Sequence, residues 1–233
     1  MNLQIIKNVD YTKTQVDELQ NVIFAVPDLK RLEVLTNDKK QEVFDFLKIR
    51  PLHTVVMTSF IQDNGLENEL NRGKYFGYRN ANGKLEGVAL IGHTTLVEGR
   101  SEEAMMAFAI AARQSETPIY VMMSDGNSIE KFWHLYKQDG SQPRLVCTEK
   151  LFELKFPFLV QKCEWDVRLA KVDELSQIAE AHAEVALLES GTNPMEKDRE
   201  GFLKRCLRRI EKERTFVVFE NGKLVFKADV VAE

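Results

Sequence analysis

The tetrapeptide Asn-Gly-Lys-Leu occurs twice in this chain, at residues 82–85 and again at residues 221–224. Each copy follows an aromatic, strand-like run, Tyr75-Phe76-Gly77-Tyr78 in the first case and Thr215-Phe216-Val217-Val218-Phe219 in the second, and each precedes an apolar run. An Asn-Gly pair between two such runs signals a β-hairpin, because both residues tolerate the positive φ that tight hairpin turns require. Each hairpin also follows two helical patterns. The chain therefore reads as two copies of strand, helix, helix, hairpin. The second copy stops at Glu233, directly after its hairpin. The expectation is one whole module at 1–157, a linker at 158–166, and the front half of a second module at 167–233, within either a half-sized module or a fragment.

The local patterns fill in this outline. Thr14 and Asp17 resemble a capping box, with Val16, Leu19, Val22 and Ile23 at helical spacing until Pro27. A second helix starts near Asp38, carries Val43, Phe44 and Leu47, and stops before Pro51. Residues 52–61 fit either a strand or a buried helix, and helix is preferred. The hairpin's return strand is expected over 85–96. Ser101 then caps a helix reaching about Gln114, striped by Ala104, Met105, Phe108, Ala111 and Ala112. A strand over 119–123, a helix from Asn127-Ser128 to Asp139-Gly140, a strand over 144–148 and an apolar segment at 151–160 complete the first module. In the second, a short strand at 167–169 enters a helix over 173–189, with Leu175, Ile178, Ala179, Val185 and Leu188 facing the core and Gly191 as the stop. Asp198 opens another helix, with Phe202, Cys206, Leu207 and Ile210 on one side. The fold class is α/β of the α+β type, a mixed and mostly antiparallel sheet flanked by helices.

Composition narrows the function classes. The 233 residues are 44% hydrophobic and 29% charged with a net charge of -4, so the chain has no general basic field for a nucleic-acid partner. Lys204, Arg205, Arg208, Arg209, Lys212 and Arg214 form one basic concentration, read as a solvated helix face. No apolar stretch approaches the ~20 residues that span a bilayer, and the N-terminus lacks a cationic start leading into an apolar run. No membrane partner and a cytoplasmic location are the expectations. Cys147, Cys163 and Cys206 form no CxxC pair and are odd in number, which speaks against a disulfide framework or a structural zinc site and for buried or half-buried thiols. The four histidines show no metal-ligand spacing. His182 lies seven residues before Glu189 on one helical face.

Strand, two helices, hairpin, then helix, strand, helix, strand is the element order of the GNAT-family N-acetyltransferases, and the chain resembles a tandem member of that family. Leu85-Glu86-Gly87-Val88-Ala89-Leu90-Ile91-Gly92 looks like the family's third strand, and Asn127…Phe132-Trp133…Tyr136…Gly140 looks like its late helix. The resemblance implies a GNAT-like acyl-CoA N-acyltransferase fold with a partial second copy. It also implies transfer of an acetyl group from acetyl-CoA to an amine, either a small molecule or a protein N-terminus or lysine. The family holds the cofactor pyrophosphate at a helix N-terminus through a Q/R-x-x-G-x-G/A loop, where unpaired N–H groups face the anion. Here the matching corner reads Glu98-Gly99-Arg100-Ser101-Glu102-Glu103-Ala104, a degenerate version with one glycine and three carboxylates.

Gly99, Arg100 and Ser101, together with Asn127, are the residues the resemblance implies for the cofactor. The second module's loop would follow Glu233. The acceptor pocket is implied at 187–191 and 227–231, which makes Glu189 and Asp229 the carboxylates beside the amine. Tyr136 resembles the family's general acid toward the departing thiolate. The other reading is a non-catalytic sensor of a small ligand such as an amino acid, or a dimerisation scaffold. The strand at 225–231 would leave an unpaired, β-branched edge, which predicts a homodimer or aggregation unless further residues cover it.

Overall fold

The structure is a computed structural model that describes residues 2–4, 26–137, 141–155 and 162–230. The helix expected over 14–27 lies almost wholly outside the described residues, and Asp139-Gly140, half of the apolar segment at 151–160 and Val231 lie outside them as well. Two compact units divide the chain, Met1–Glu153 and Leu154–Val231.

Unit 1 is built on a five-stranded sheet, ordered β2 (Leu32–Val34), β3 (Gly73–Arg79), β4 (Leu85–Gly92), β5 (Thr94–Gly99) and β6 (Val121–Met123). The first four strands run antiparallel to their neighbours, and β6 runs parallel to β5. β4 occupies the centre and is buried on both sides. Its residues alternate between two cores: Val88 and Leu90 join Val43, Leu47, Met57 and Ile61, whereas Ala89 and Ile91 join Ala104, Phe108, Ile129 and Phe132. A strand covered on both faces reads as a continuous apolar run, which explains its sequence.

The first of those cores is supplied by α1 (Lys40–Leu47) and α2 (Pro51–Asn64), the second by α3 (Glu102–Arg113) and α4 (Gly126–Tyr136). Pro51 occupies the first turn of α2, where its missing N–H costs nothing and its fixed φ suits a helix, so residues 52–61 are helical as preferred. Ser101 caps α3 by accepting from the Ala104 N–H at 3.2 Å. Asp125, one residue ahead of α4, accepts from the Ser128 N–H at 3.0 Å.

The structure corrects two strand expectations here. Residues 85–96 are not one strand but two, β4 and β5, paired from Gly87↔Gly99 to Leu90↔Leu96 around a turn at His93. The signal for this turn is Gly92-His93-Thr94-Thr95, the polar break between the apolar runs ending at Ile91 and resuming at Leu96. A strand over 144–148 is also absent: β7 covers Thr148–Lys150 and pairs with β1 (Asn2–Gln4) in a separate two-stranded ladder. The β-branched and apolar residues at 145–147 have no partner strand beside them, and strand propensity needs one.

Unit 2 carries a three-stranded antiparallel sheet in the order β8 (Arg168–Leu169), β9 (Thr215–Glu220), β10 (Lys223–Asp229). Between β8 and β9 lie α5 (Leu175–Ser190), the single turn α6 (Pro194–Lys197) and α7 (Arg199–Glu211). Ala179, Ala183, Phe202 and Cys206 pack α5 on α7, and Ile178, Ile210 and Val217 pack the helices on the sheet. Both units thus contain a strand, helices and a hairpin with the same antiparallel neighbours. The helix over 173–189 exists, but Val185 and Leu188 do not face the core: they are 51% and 79% exposed. Both lie past Ala183, the last α5 residue that packs on α7. Cys163 likewise is exposed, whereas Cys206 is buried and Cys147 is intermediate.

The two identical tetrapeptides close different turns. At 221–222 both residues are left-handed, with φ 50° and 76°, so they form a two-residue turn whose twist matches the strands. At 82–83 only Gly83 has positive φ, and the Asn80 side chain accepts from the N–H groups of Asn82 and Lys84, giving a longer loop.

One close approach is strict. Gly73 and Gly92 are cross-strand partners, and a Cβ on Gly92 would meet the Arg72 carbonyl oxygen at 2.2 Å and Gly73 Cα at 2.5 Å. Backbone cannot yield as a side chain does. Gly92→Ala is expected to destabilise unit 1 by about 2 kcal/mol or more, read as a lower midpoint in urea denaturation.

Candidate functional site

Two charged clusters stand out, one in each unit. In unit 1, Arg50 lies just ahead of α2 and reaches the end of β5 and the start of α4. Its Nη1 donates to Glu98 Oε1 and Oε2 at 3.1 and 3.2 Å, and its Nη2 donates to Asp125. Glu98 is buried, with only 5% of its side chain exposed. Burial pushes the Glu98 carboxyl up, and the Arg50 charge and hydrogen bonds only partly oppose it. Asp125 is also pushed up by burial, but donation from Ser128 and Arg50 outweighs this and holds it low. Beside this clamp Leu52, Val55, Val56, Leu96 and Met123 help to line a cavity of about 150 Å³ that Glu98 and Ser124 also reach.

The corner implied for acetyl-CoA adjoins the clamp. Its side chains are already committed. A Cβ on Gly99 would meet Met105 Sδ at 2.5 Å, so the open space beside that glycine is filled by Met105. Arg100 lies 3.8 Å from the Phe46 ring centroid, donates to the Phe46 carbonyl, and gives its backbone N–H to Glu86 at 2.8 Å. Ser101 Oγ is the α3 cap, and Glu102 and Glu103 place carboxylates in the first helical turn. Negative side chains there stabilise the helix end and repel a phosphate. These residues do not fit a pyrophosphate. Asn127 is exposed in the first turn of α4. Tyr136 closes that helix, half-buried, with its ring stacked on Phe132 at 6.2 Å and tilted against Trp133.

In unit 2 the implied carboxylates come together. Glu189 on the last turn of α5 and Asp229 at the end of β10 both line a cavity of about 480 Å³, with His182, Val185, Phe226 and Lys227. Period two brings Lys227 and Asp229 to one face of β10. Seven residues, two turns, bring His182 and Glu189 to one face of α5. Asp229 Oδ1 accepts from Thr215 Oγ1 at 2.8 Å, and Oδ2 accepts from Lys227 and, at 3.3 Å, from Arg209 Nη1. His182 Nδ1 lies 3.5 Å from the same oxygen, and its ring packs on Phe202. Burial raises the Asp229 carboxyl, but the donors, His182 and Lys227 foremost, hold it far below the ordinary carboxylate range. This carboxylate orders cations and is a poor base.

Arg50 and Thr215 were not among the sequence candidates; Lys227 lay in the implied pocket segment without a role of its own, Arg209 in the basic helix face, and His182 on the Glu189 face. The pairings of His182 with Glu189 and of Lys227 with Asp229 are legible as periodicities. The reach of Arg50 across forty-eight residues to Glu98 is not. Arg209 leaves the expected solvated face and joins Asp229, while Lys204 pairs with Glu200 and Arg205 with Asp198 on the helix surface. Among the described residues no cluster of metal-ligating side chains occurs, and no helix is long and apolar enough to cross a membrane. Comparison of the chain with protein-family models, with curated proteins and with solved structures returns no match.

Two predictions follow from these environments. Arg50→Met strands Glu98 in the interior and is expected to cost about 3 kcal/mol in urea denaturation, most of it recovered in the Arg50→Met/Glu98→Gln double variant. The depressed Asp229 carboxyl stabilises the fold above its unfolded pKa, near 3.8, and loses that contribution as pH falls through the lower folded value. Thermal melts of the wild type should therefore fall more steeply below about pH 4 than those of Asp229→Asn, which starts less stable at neutral pH.

Proposed function

We propose that the chain is a GNAT-like N-acetyltransferase in which unit 2 binds the amine acceptor and unit 1 is a scaffold. The observation that carries this reading is the unit 2 cavity, where Glu189 and Asp229 line one space. Further support comes from the shared strand, helix, helix, hairpin order of the two units, and from the continuation of unit 1 through β5, α3, the parallel β6 and α4. Acetyl-CoA as donor rests on the resemblance alone, since the Gly99–Ser101 corner is closed. A cytoplasmic location and the absence of nucleic-acid partners go with the same reading.

Glu189 is exposed at the cavity and carries a charge that can hold an ammonium group. Asp229 positions Lys227 and Arg209 and does not draw the proton from the amine, because a strongly stabilised carboxylate is a weak base. Tyr136 as proton donor to the thiolate remains part of the resemblance. The closed corner in unit 1 also favours a second reading, a sensor that binds a small ligand in unit 2 without chemistry.

Radiolabelled acetyl transfer to a panel of primary amines separates the two. The acetyltransferase reading expects turnover by the natural polypeptide, with Glu189→Gln raising KM for the amine about tenfold and leaving kcat within about threefold. A folded protein that binds amines and transfers no acetyl group establishes the sensor instead.

A further inference from the structure

The unit 2 cavity is asymmetric in charge along its length. At one end stands Lys227, with Arg209 behind it on Asp229; among the described residues Asp229 is the one carboxylate paired with these two cations, so one positive charge is left over. Lys227 and Asp229 are 15% and 11% exposed, so water screens the lysine's charge weakly, whereas Arg209 is 40% exposed. Both ring nitrogens of His182 face these cations, Nδ1 at 3.2 Å from Lys227 Nζ and Nε2 at 3.5 Å from Arg209 Nη1. At the other end stands Glu189, two turns further along α5 and so about 10 Å away along the axis. Between them the same helix face presents Val185, and β10 presents Phe226, both about half exposed and both lining the cavity. Cation, apolar wall, anion is therefore the order read along the cavity.

We infer that the cavity takes a linear dipolar amine, with a carboxylate at the Lys227 end, a methylene chain over Val185 and Phe226, and a primary ammonium at Glu189. This rests on the reading of the cavity as an amine acceptor pocket and names the class of acceptor. Subtracting a charge-assisted hydrogen bond of about 2.8 Å at each end from the roughly 10 Å between the two ends leaves about 4–5 Å, which suits a chain of roughly three or four carbons. An α-amino acid without a side-chain amine cannot reach both ends. A simple alkylamine leaves the excess cation unpaired, and a fatty acid leaves Glu189 unpaired. The ligand's chain also covers the two apolar side chains that the fold leaves in water, at a gain of about 0.8 kcal/mol per buried methylene.

Calorimetric titration of the whole chain with 4-aminobutyrate, butylamine, butyrate and glycine tests this. The expected result is that 4-aminobutyrate binds at least about tenfold tighter than the other three. Arg209→Gln, which leaves Lys227 and Thr215 on Asp229, should weaken 4-aminobutyrate and butyrate but not butylamine. Glu189→Gln should weaken 4-aminobutyrate and butylamine but not butyrate. Thermal melts matching the wild type show that each variant is folded, and the ligand comparison on the unaltered chain stands even where a variant is not. Equal affinity for butylamine and 4-aminobutyrate overturns the dipolar ligand and leaves an amine pocket in place. Binding of neither amine overturns the pocket assignment and this inference with it.

Discussion

Burial of β4 on both faces is the constraint around which unit 1 is arranged. A strand with Val88 and Leu90 on one side and Ala89 and Ile91 on the other needs an apolar layer above and below. Helices α1 and α2 supply the first and α3 and α4 the second. Each large aliphatic side chain buried this way contributes about 1.5–3 kcal/mol before the entropy of ordering is set against it. Gly73 and Gly92 permit the close backbone approach at one end of β4, and the Arg50 clamp ties the far end of β5 to the cap of α4. In unit 2 the central strand β9 buries Val217 and Val218 on opposite faces, but described helices pack on only one of those faces. Its helices α5 and α7 cover one side of a three-stranded sheet, and Val185, Leu188, Val225 and Phe226 stay in water.

The two units manage interior charge in opposite ways, and this separates a structural cluster from a binding one. In unit 1 one guanidinium serves two carboxylates, one of which also caps a helix, so every charge has a fixed partner within the protein. In unit 2 one carboxylate serves a lysine and an arginine and is approached by a histidine, leaving surplus positive charge beside an open cavity. The corner of unit 1, where the resemblance implies a cofactor, is filled by Met105 and drained of free donors by Phe46, Glu86 and the Ser101 cap. Proposed chemistry therefore concentrates on unit 2.

Most elements were legible in the chain because they rest on local physics. Ser101 and Asp198 announce helix starts, Gly191 with φ 65° ends α5, and the Asn-Gly pairs mark hairpins. What stayed hidden involves neighbours. The division of 85–96 into two strands falls at Gly92-His93-Thr94-Thr95, a short polar break between apolar runs that only the pairing of β4 with β5 identifies as a turn. The strand at Thr148–Lys150, in place of 144–148, depends on where β1 lies. Val185 and Leu188 keep helical spacing with Ile178, yet they lie past Ala183, the last α5 residue packed on α7. For the site, the resemblance singled out Glu189 and Asp229, and the structure lines one cavity with both. Of their cationic partners, Lys227 lay in the implied pocket segment, whereas the reach of Arg209 to Asp229 came into view only with the fold.

The twin tetrapeptides show the same division in miniature. The sequence by itself determined that a turn occurs at each, since Asn-Gly tolerates left-handed backbone where other pairs resist it. It also determined the order of strands and helices around them, through periodicity and caps. Only the tertiary structure decided which turn each tetrapeptide makes, because the Asn80 side chain holds one loop open, while Gln177 on α5 hydrogen-bonds Gly222 and Leu224 at the other. The unit 2 cavity belongs to that second category. Its charges come from three elements far apart in the chain, and only the packing of α5 and α7 on the sheet sets them within reach of one ligand.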